Sequence, residues 1–369
     1  MKPIAVFTAD NHLRPQTWNK HPTLFGDAYE SFQQIIECCL GAGLPLFLLG
    51  DLFDKSRPDS WSVGIYLDSI RRMEQARLPV YYIEGNHDKA DPPWASLTPW
   101  ATPLGACQFA GINFYGISFS TGQDLIDSLA NIPPETNVLL THQSWQEIQQ
   151  VGITDASFGQ IPHGLVMLTG DYHVCGTYTG QAADHTQVTA YSPGSTVMQA
   201  LNEPDAKYFG ILYEDLTVTW CGIDTRHINR FTLHSVDQLD SMVERLSIVQ
   251  QPKATSVIGK PILQVKYNDQ IPEAFDRLMS AFSDNYHLFL EPQRQIVTEV
   301  IAEETADTAA FDTLESAACQ LCINDPPTHA AVYRLSRAVD PAQEFSLIYD
   351  EFRKQYEHNQ NQNQNQSHA

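Results

Sequence analysis

Asp10, His12, Asp51, Asn86, His87, His142 and His173 offer carboxylate, imidazole and amide donors in chain order, each behind an apolar run. Asp10 and His12 lie two residues apart. In extended backbone, positions i and i+2 project to one side, so both could reach one ion. Asp51 follows Gly50, which permits close backbone approach, and its two oxygens could bridge two cations. Asn86 and His87 follow Gly85, and Asp88 stands where it could orient them. A nitrogen and oxygen donor set without thiolate suits Mn²⁺, Fe²⁺ or Zn²⁺ and argues against a structural thiolate zinc site. Two cations about 3.5–4 Å apart activate water, polarise phosphoryl oxygens and align an in-line displacement. The leaving alkoxide then still needs a proton. A histidine that is not a ligand can supply it, and His87 is the candidate. The chemistry implied is two-metal phosphoester hydrolysis.

The elements that must position these groups repeat one rhythm. Apolar strands are predicted over Pro3 to Ala9, Leu44 to Leu49, Pro79 to Ile83, Val138 to Leu140 and Leu165 to Leu168, each ending at one of the polar clusters. Helices are predicted over Asp27 to Leu40, with Gly41 as its stop, and over Trp61 to Ala76. Alternating strands and helices imply a largely parallel sheet covered on its faces, with ligands beyond the strand carboxyl ends. Short strands over Phe109 to Ser120 and Thr186 to Ile223 imply an antiparallel extension or a second sheet. The expected fold class is α/β, a two-sheet sandwich flanked by helices. A small βαβ-like module follows, with strands at Pro261 to Tyr267 and Tyr286 to Glu291 around a helix at Ile271 to Phe282. Beyond it lie a helical segment with an apolar stripe at Phe345, Ile348, Tyr349 and Phe352, then an Asn/Gln-rich tail whose composition implies disorder.

Bulk properties exclude some classes. The 369 residues carry 43% hydrophobic and 18% charged residues, ordinary for a globular protein of two or three domains. No stretch of about 18 apolar residues occurs, so no membrane span is expected. The start of the chain lacks signal-peptide features, and the seven cysteines have no framework spacing. The expectation is a reduced cytoplasmic protein, in host cytoplasm if the chain is viral. A net charge of -22 argues against gripping nucleic acid through the chain's own field. Bound cations or a basic partner could supply that grip. Cys319 and Cys322 form a lone CxxC, read as small apolar residues on one helical face, and Cys38 and Cys39 are read as packing.

The order Asp-x-His, Gly-Asp, Gly-Asn-His-Asp, Thr-His and Gly-x-x-His resembles the calcineurin-like metallophosphoesterases. Within them, Gly50-Asp51-Leu52-Phe53-Asp54-Lys55-Ser56-Arg57-Pro58 resembles the SbcD-type nuclease subunits of SbcCD double-strand-break-repair complexes. Thr141-His142-Gln143 fits, as does Tyr191-Ser192-Pro193-Gly194-Ser195, similar to a Tyr-Pro-Gly-Ser stretch with one residue inserted. The resemblance implies one cation held by Asp10, His12, Asp51 and His173. It implies a second held by Asp51, Asn86, His142 and position 171, with His87 acting on the transition state. The family ending is Gly-His-x-His, whereas this chain has Gly170-Asp171-Tyr172-His173. Asp171 either ligates as an anion, favouring Mn²⁺ or Mg²⁺, or leaves the second position weak.

The resemblance further implies a catalytic domain over 1–230, a small αβ capping, DNA-binding domain over 231–298, a partner-binding helical segment over 299–358 and the tail over 359–369. It implies two divalent ions, Mn²⁺ with Mg²⁺ as alternative, and a DNA exonuclease with endonuclease activity. The implied partners are an SbcC-type SMC-like ATPase and a second copy, met through the segment after Asp88 and the helix bearing Trp61, Ile65 and Ile70, residues that otherwise read as plain core. The alternatives are a phosphodiesterase or phosphatase on small phosphoesters, and a catalytically weak scaffold.

Overall fold

The computed structural model describes residues 1–16, 24–149, 154–201, 203–248 and 259–293. The helical segment over 299–358, the tail and the CxxC lie outside the described residues. In chain order the elements are β1 (Pro3–Thr8), α1 (Asp27–Ala42), β2 (Leu46–Leu49), α2 (Ser60–Gln75), β3 (Val80–Ile83), β4 (Ala101–Pro103), β5 (Ala106–Phe109) and β6 (Ile112–Ile117). Then come α3 (Gly122–Ala130), β7 (Val138–His142), β8 (Val166–Gly170), β9 (Gly176–Gln181), β10 (Gln187–Ser192), β11 (Lys207–Tyr213) and β12 (Val218–Ile223). The last are β13 (Ile228–Leu233), α4 (Val236–Ile248), β14 (Ile262–Asn268), α5 (Ala274–Phe282) and β15 (His287–Gln293).

The two-sheet sandwich is present. One sheet runs β12-β11-β1-β2-β3-β4 and the other β5-β6-β7-β8-β10-β9. The first is parallel from β1 to β4, with β11 and β12 antiparallel at its edge. The strands expected to form an antiparallel extension or a second sheet do both: β11 and β12 extend the first sheet antiparallel, and β6 and β10 lie in the second. β6, β7, β8 and β10 make a parallel core, and only β5 and β9 pair antiparallel at its edges. Helix α3 supplies the β6–β7 crossover that parallel pairing requires.

Side-chain alternation builds the layers. Val6, Leu46, Leu48, Val80 and Tyr82 face α1 and α2, packing on Phe32, Ile36, Tyr66 and Ile70. Their neighbours Ala5, Phe7, Phe47, Leu49 and Ile83 face the second sheet, against Phe114, Val138, Leu140 and Leu168. On the far side Leu139, Met167 and Val188 pack against Leu125, Leu129, Trp145 and Phe158. Strands buried on both faces read as continuous apolar runs, as these do. Cys39 is buried in the α1 core and Cys38 packs at its edge. Helix α1 does not stop at Gly41. It runs to Ala42, and Gly43 at φ 67 closes it with its N–H on Cys39 O.

The following module holds two βαβ units, in which β13, β14 and β15 form a parallel sheet backed by α4 and α5. β13 spans position 230 and, with α4, went unrecognised in the sequence. Helix α5 begins at Ala274, with Ile271 in the preceding turn. Residues Met1–Ile296 form one compact unit. Arg226 ties the module to α1, its guanidinium bridging both carboxylate oxygens of Asp27 and donating to Lys260 O. No helix among the described residues is long and apolar enough to cross a membrane.

Candidate metal centre

The loops leaving β1, β2, β3 and β8 converge with the end of β7 at one end of the sandwich; His142 is the last residue of β7 and the loops carry the other candidate residues. Asp10 and His12 are not extended, as the i, i+2 argument assumed. Their φ angles are 49° and 43°, and Asp51 and Asp171 share the left-handed region at 50° and 80°. Such conformations cost roughly 1–2 kcal/mol each for a side chain. Backbone bonds hold the turns: Asp10 N–H donates to Gly50 O at 3.2 Å, His12 N–H to Asp51 O at 2.9 Å and Leu13 N–H to Leu52 O at 2.8 Å. Two glycines allow the close approach. Gly50 has φ 88°, and a Cβ there would stand 2.4 Å from His142 Nδ1. A Cβ on Gly85 would stand 2.1 Å from Asp51 Oδ1.

Asp88 joins two of these loops. Its buried carboxylate accepts from Leu52 N–H at 3.1 Å, Phe53 N–H at 3.0 Å and Gly85 N–H at 3.1 Å. It orients Asp51 and Asn86 through the backbone that bears them.

The donor atoms gather within a few ångströms. His142 Nε2 lies 3.5 Å from Asp51 Oδ2 and 3.8 Å from Asp10 Oδ1. His12 Nε2 lies 3.7 Å from Asp51 Oδ2 and 4.0 Å from Asp10 Oδ1. His173 Nε2 is 3.7 Å from Asp10 Oδ1. These spacings exceed good hydrogen bonds and approach the separation of donors that share a cation, roughly 3–3.5 Å for bonds of about 2.1 Å. Three groups have ligand atoms within 4.8 Å of one another: Asp10 with His12 and His173, Asp10 with Asp51 and His142, and His12 with Asp54 and His87. Asp171 is in none of them. Its backbone N–H donates to Asp10 Oδ2 at 3.1 Å.

Two observations fit this set to cations. Both ring nitrogens of His12 are buried without a hydrogen-bond partner, a need that an ion bound at Nε2 would meet. The end of the Asn86 amide lies 3.2 Å from Asp51 Oδ2 and 3.3 Å from His142 Nε2. An amide N–H there donates to the carboxylate, whereas an amide oxygen belongs there only with a cation among the acceptors.

Charge follows the geometry. Burial drives the His12 imidazole down to about 3, against the pull of Asp51, so it is neutral and able to ligate. Burial lifts Asp10 to about 6, with Asp51 and Asp171 adding to it while His142 and His173 oppose. For Asp51 burial is outweighed by His142 and His12, which hold it near 2. His142 is desolvated yet rises to about 10 between Asp51 and Asp10. Asp171 is raised by burial, against His142. His173 rises because Glu203 and Asp10 outweigh its burial. Cation binding here must displace protons.

His87 stands at the mouth, its side chain 42% exposed. Its Nδ1–H donates to Asp54 O at 2.7 Å and its backbone N–H to Asp51 Oδ1 at 2.9 Å. Nε2 lies 3.9 Å from Asp51 Oδ2, at the edge of the donor cluster. Asp54 itself pairs with Arg14 at 2.6 Å. Asp54 carried no assigned role in the sequence reading, although it lies inside the Gly50–Pro58 stretch. Glu203, which receives His173 Nδ1–H at 3.1 Å, gave no sequence signal at all.

Residues 5–175 match the family model for calcineurin-like phosphoesterases. A stretch of 85 residues is 32% identical to the DNA double-strand break repair protein Mre11 of Methanococcus maripaludis, covering 22% of this chain and 22% of that one. The chain thus matches about a fifth of that relative's length. The crystal structure of TT1561 of Thermus thermophilus aligns over 61% of this chain and all of its own at 11% identity and a TM-score of 0.37.

Proposed function

We propose that this chain, which carries a calcineurin-like phosphoesterase domain, is a metal-dependent nuclease that hydrolyses DNA phosphodiester bonds. The observation that carries the reading is the convergence of Asp10, His12, Asp51, Asn86, His142 and His173, with His12 buried and unpartnered. Asp10, His12 and His173 would hold one divalent ion, and Asp51, Asn86 and His142 the other. Asp51 lies near both groups, and Asp171 contributes its N–H to Asp10. When bound, such ions activate water and stabilise charge on the phosphoryl oxygens. Mn²⁺ suits the mixed nitrogen and oxygen donors, with Mg²⁺ as the harder alternative.

The chain's own groups do the rest. Asp88 keeps two donor loops in register. Asp54 O keeps one ring proton on Nδ1 of His87, so that Nε2, 3.9 Å from Asp51 Oδ2, is the nitrogen that takes up and releases a proton. His87 gives that proton to the leaving alkoxide, or holds the charge of the phosphoryl group as it transfers.

DNA as substrate is supported by the Mre11 similarity and by the Gly50–Pro58 stretch. The charge of -22 fits a subunit that borrows its phosphate grip from an SbcC-type ATPase. A homodimer would use the α2 end, where Trp61 is 64% exposed and packs edge-on to Phe25. The test is cleavage of linear and closed-circular DNA with Mn²⁺ or Mg²⁺, with and without a co-purifying ATPase. Cleavage should require metal and fall about 100-fold or more in His87→Ala. Turnover of a small phosphodiester with no DNA cleavage under any condition would refute the nuclease reading.

A further inference from the structure

Three imidazoles of the site engage Nδ1 with unequal partners. His142 donates Nδ1–H to the neutral carbonyl of Leu49 at 2.7 Å, and His87 to that of Asp54 at 2.7 Å. His173 donates instead to a carboxylate, Glu203 Oε1, at 3.1 Å. That carboxylate is itself held. Glu203 Oε2 accepts from Lys207 Nζ at 2.7 Å, from the backbone N–H of Gln199 at 3.0 Å and from Ser195 Oγ at 3.3 Å. Lys207 is only 3% exposed and also donates to Ser195 Oγ at 2.8 Å.

The anchorage goes back to the sheet. Lys207 opens β11, which pairs with β1, the strand that leads into Asp10. The connecting loop returns to the site, with Ser195 N–H on His173 O at 3.3 Å and Thr196 N–H on Asp10 O at 3.4 Å. A cation fixed by the sheet fixes a carboxylate, and the carboxylate fixes an imidazole.

We propose that Glu203, clamped by Lys207, is the positioning carboxylate for His173 and makes the cation position at Asp10, His12 and His173 the tighter of the two. This rests on the two-cation reading above. An ionised acceptor on Nδ1–H sets the tautomer, leaves Nε2 free towards Asp10 and raises the donor strength of the ring. The carbonyl behind His142 does the first two of these and less of the third. Buried ion pairs are often worth little as stability, so a chain of three groups aimed at one imidazole is better explained by what it does to that ring.

The test is Mn²⁺ titration of the full chain by calorimetry, with the free-ion signal followed by electron paramagnetic resonance. The wild type should take up two Mn²⁺ with resolved affinities. Glu203→Gln, which keeps the shape and one acceptor, should weaken the tighter ion roughly 10–100-fold and leave the other within about twofold. Lys207→Met should weaken the same ion. Glu203→Ala added to His173→Ala should cost nothing beyond His173→Ala alone, because Glu203 acts through that ring. Should Glu203→Ala not fold, Glu203→Gln in the His173→Ala background gives the same comparison. Equal weakening of both ions, unchanged affinities in Glu203→Gln, or additive losses in the double variant would each overturn the proposal. A wild type that binds no Mn²⁺ would overturn the two-cation reading, and this inference with it.

Discussion

Replacing Asp88 should damage stability and the site together, because one carboxylate holds both donor loops. It accepts three backbone N–H groups at 3.0–3.1 Å in a buried place. In Asp88→Ala all three donors lose their partner. Each buried unsatisfied donor costs about 1–3 kcal/mol, partly offset because an anion no longer needs burying. The net loss should be roughly 3–6 kcal/mol, a large share of the roughly 5–15 kcal/mol that holds a domain together. Asp88→Asn is more informative. With its oxygen at the Oδ2 position it still serves Leu52 and Gly85, and only the Phe53 N–H is left facing an amide NH₂. Its cost should be about 1–3 kcal/mol. Urea unfolding in EDTA measures the stability term, and Mn²⁺ titration measures the displacement of Asp51 and Asn86. Mn²⁺ affinity should fall in Asp88→Asn while the protein stays folded. An Asp88→Asn protein within about 0.5 kcal/mol of the wild type, with unchanged Mn²⁺ affinity, would refute the idea that this carboxylate sets the loops.

Gly85→Ala places a Cβ 2.1 Å from Asp51 Oδ1. The carboxylate and the Asp51 backbone nitrogen, which that Cβ would also meet, must both move, and Mn²⁺ uptake and metal-dependent cleavage should both be lost while the far-ultraviolet circular dichroism of the sheets stays native. Arg226→Ala leaves Asp27 buried and unpaired at the start of α1. It should cost about 3–5 kcal/mol in thermal or urea unfolding, with Asp27→Asn, Arg226→Met recovering part of that loss. Glu203 is held near 2 against its ordinary 4.5, burial being outweighed by the bonds from His173 and Lys207. A depressed carboxylate stabilises the folded state above its unfolded pKa and loses that contribution as pH falls. In EDTA the stability advantage of wild type over Glu203→Gln should therefore be full above about pH 5.5 and vanish towards pH 2. An advantage independent of pH would show that the carboxylate's charge contributes nothing there.

The parts of this architecture legible in the sequence are those fixed by local pattern. The runs at Pro3, Leu46, Val80, Val138 and Val166 are apolar on both faces, so they announce buried parallel strands wherever they pair. Polar residues just beyond them had to meet at one end. The pairing of β6 with β7 was not legible, because a short helix between two short strands leaves parallel and antiparallel pairing equally open until the partner sheet is known. The conformations of Asp10, His12 and Asp51 were hidden for a stronger reason. Left-handed backbone at a side-chain-bearing residue runs against local preference and persists only when surrounding bonds over-determine it. Here those bonds come from Gly50, Asp51 and Leu52, about forty residues downstream of Asp10. Glu203 is the extreme case. A glutamate in a polar loop looks like a solvated charge. What distinguishes this one is a lysine buried at the start of an edge-side strand, and burial of Lys207 is a property of the sheet pairing rather than of its neighbours in sequence. Donors can be found by spacing, whereas the groups that orient them are found only when distant elements are brought together.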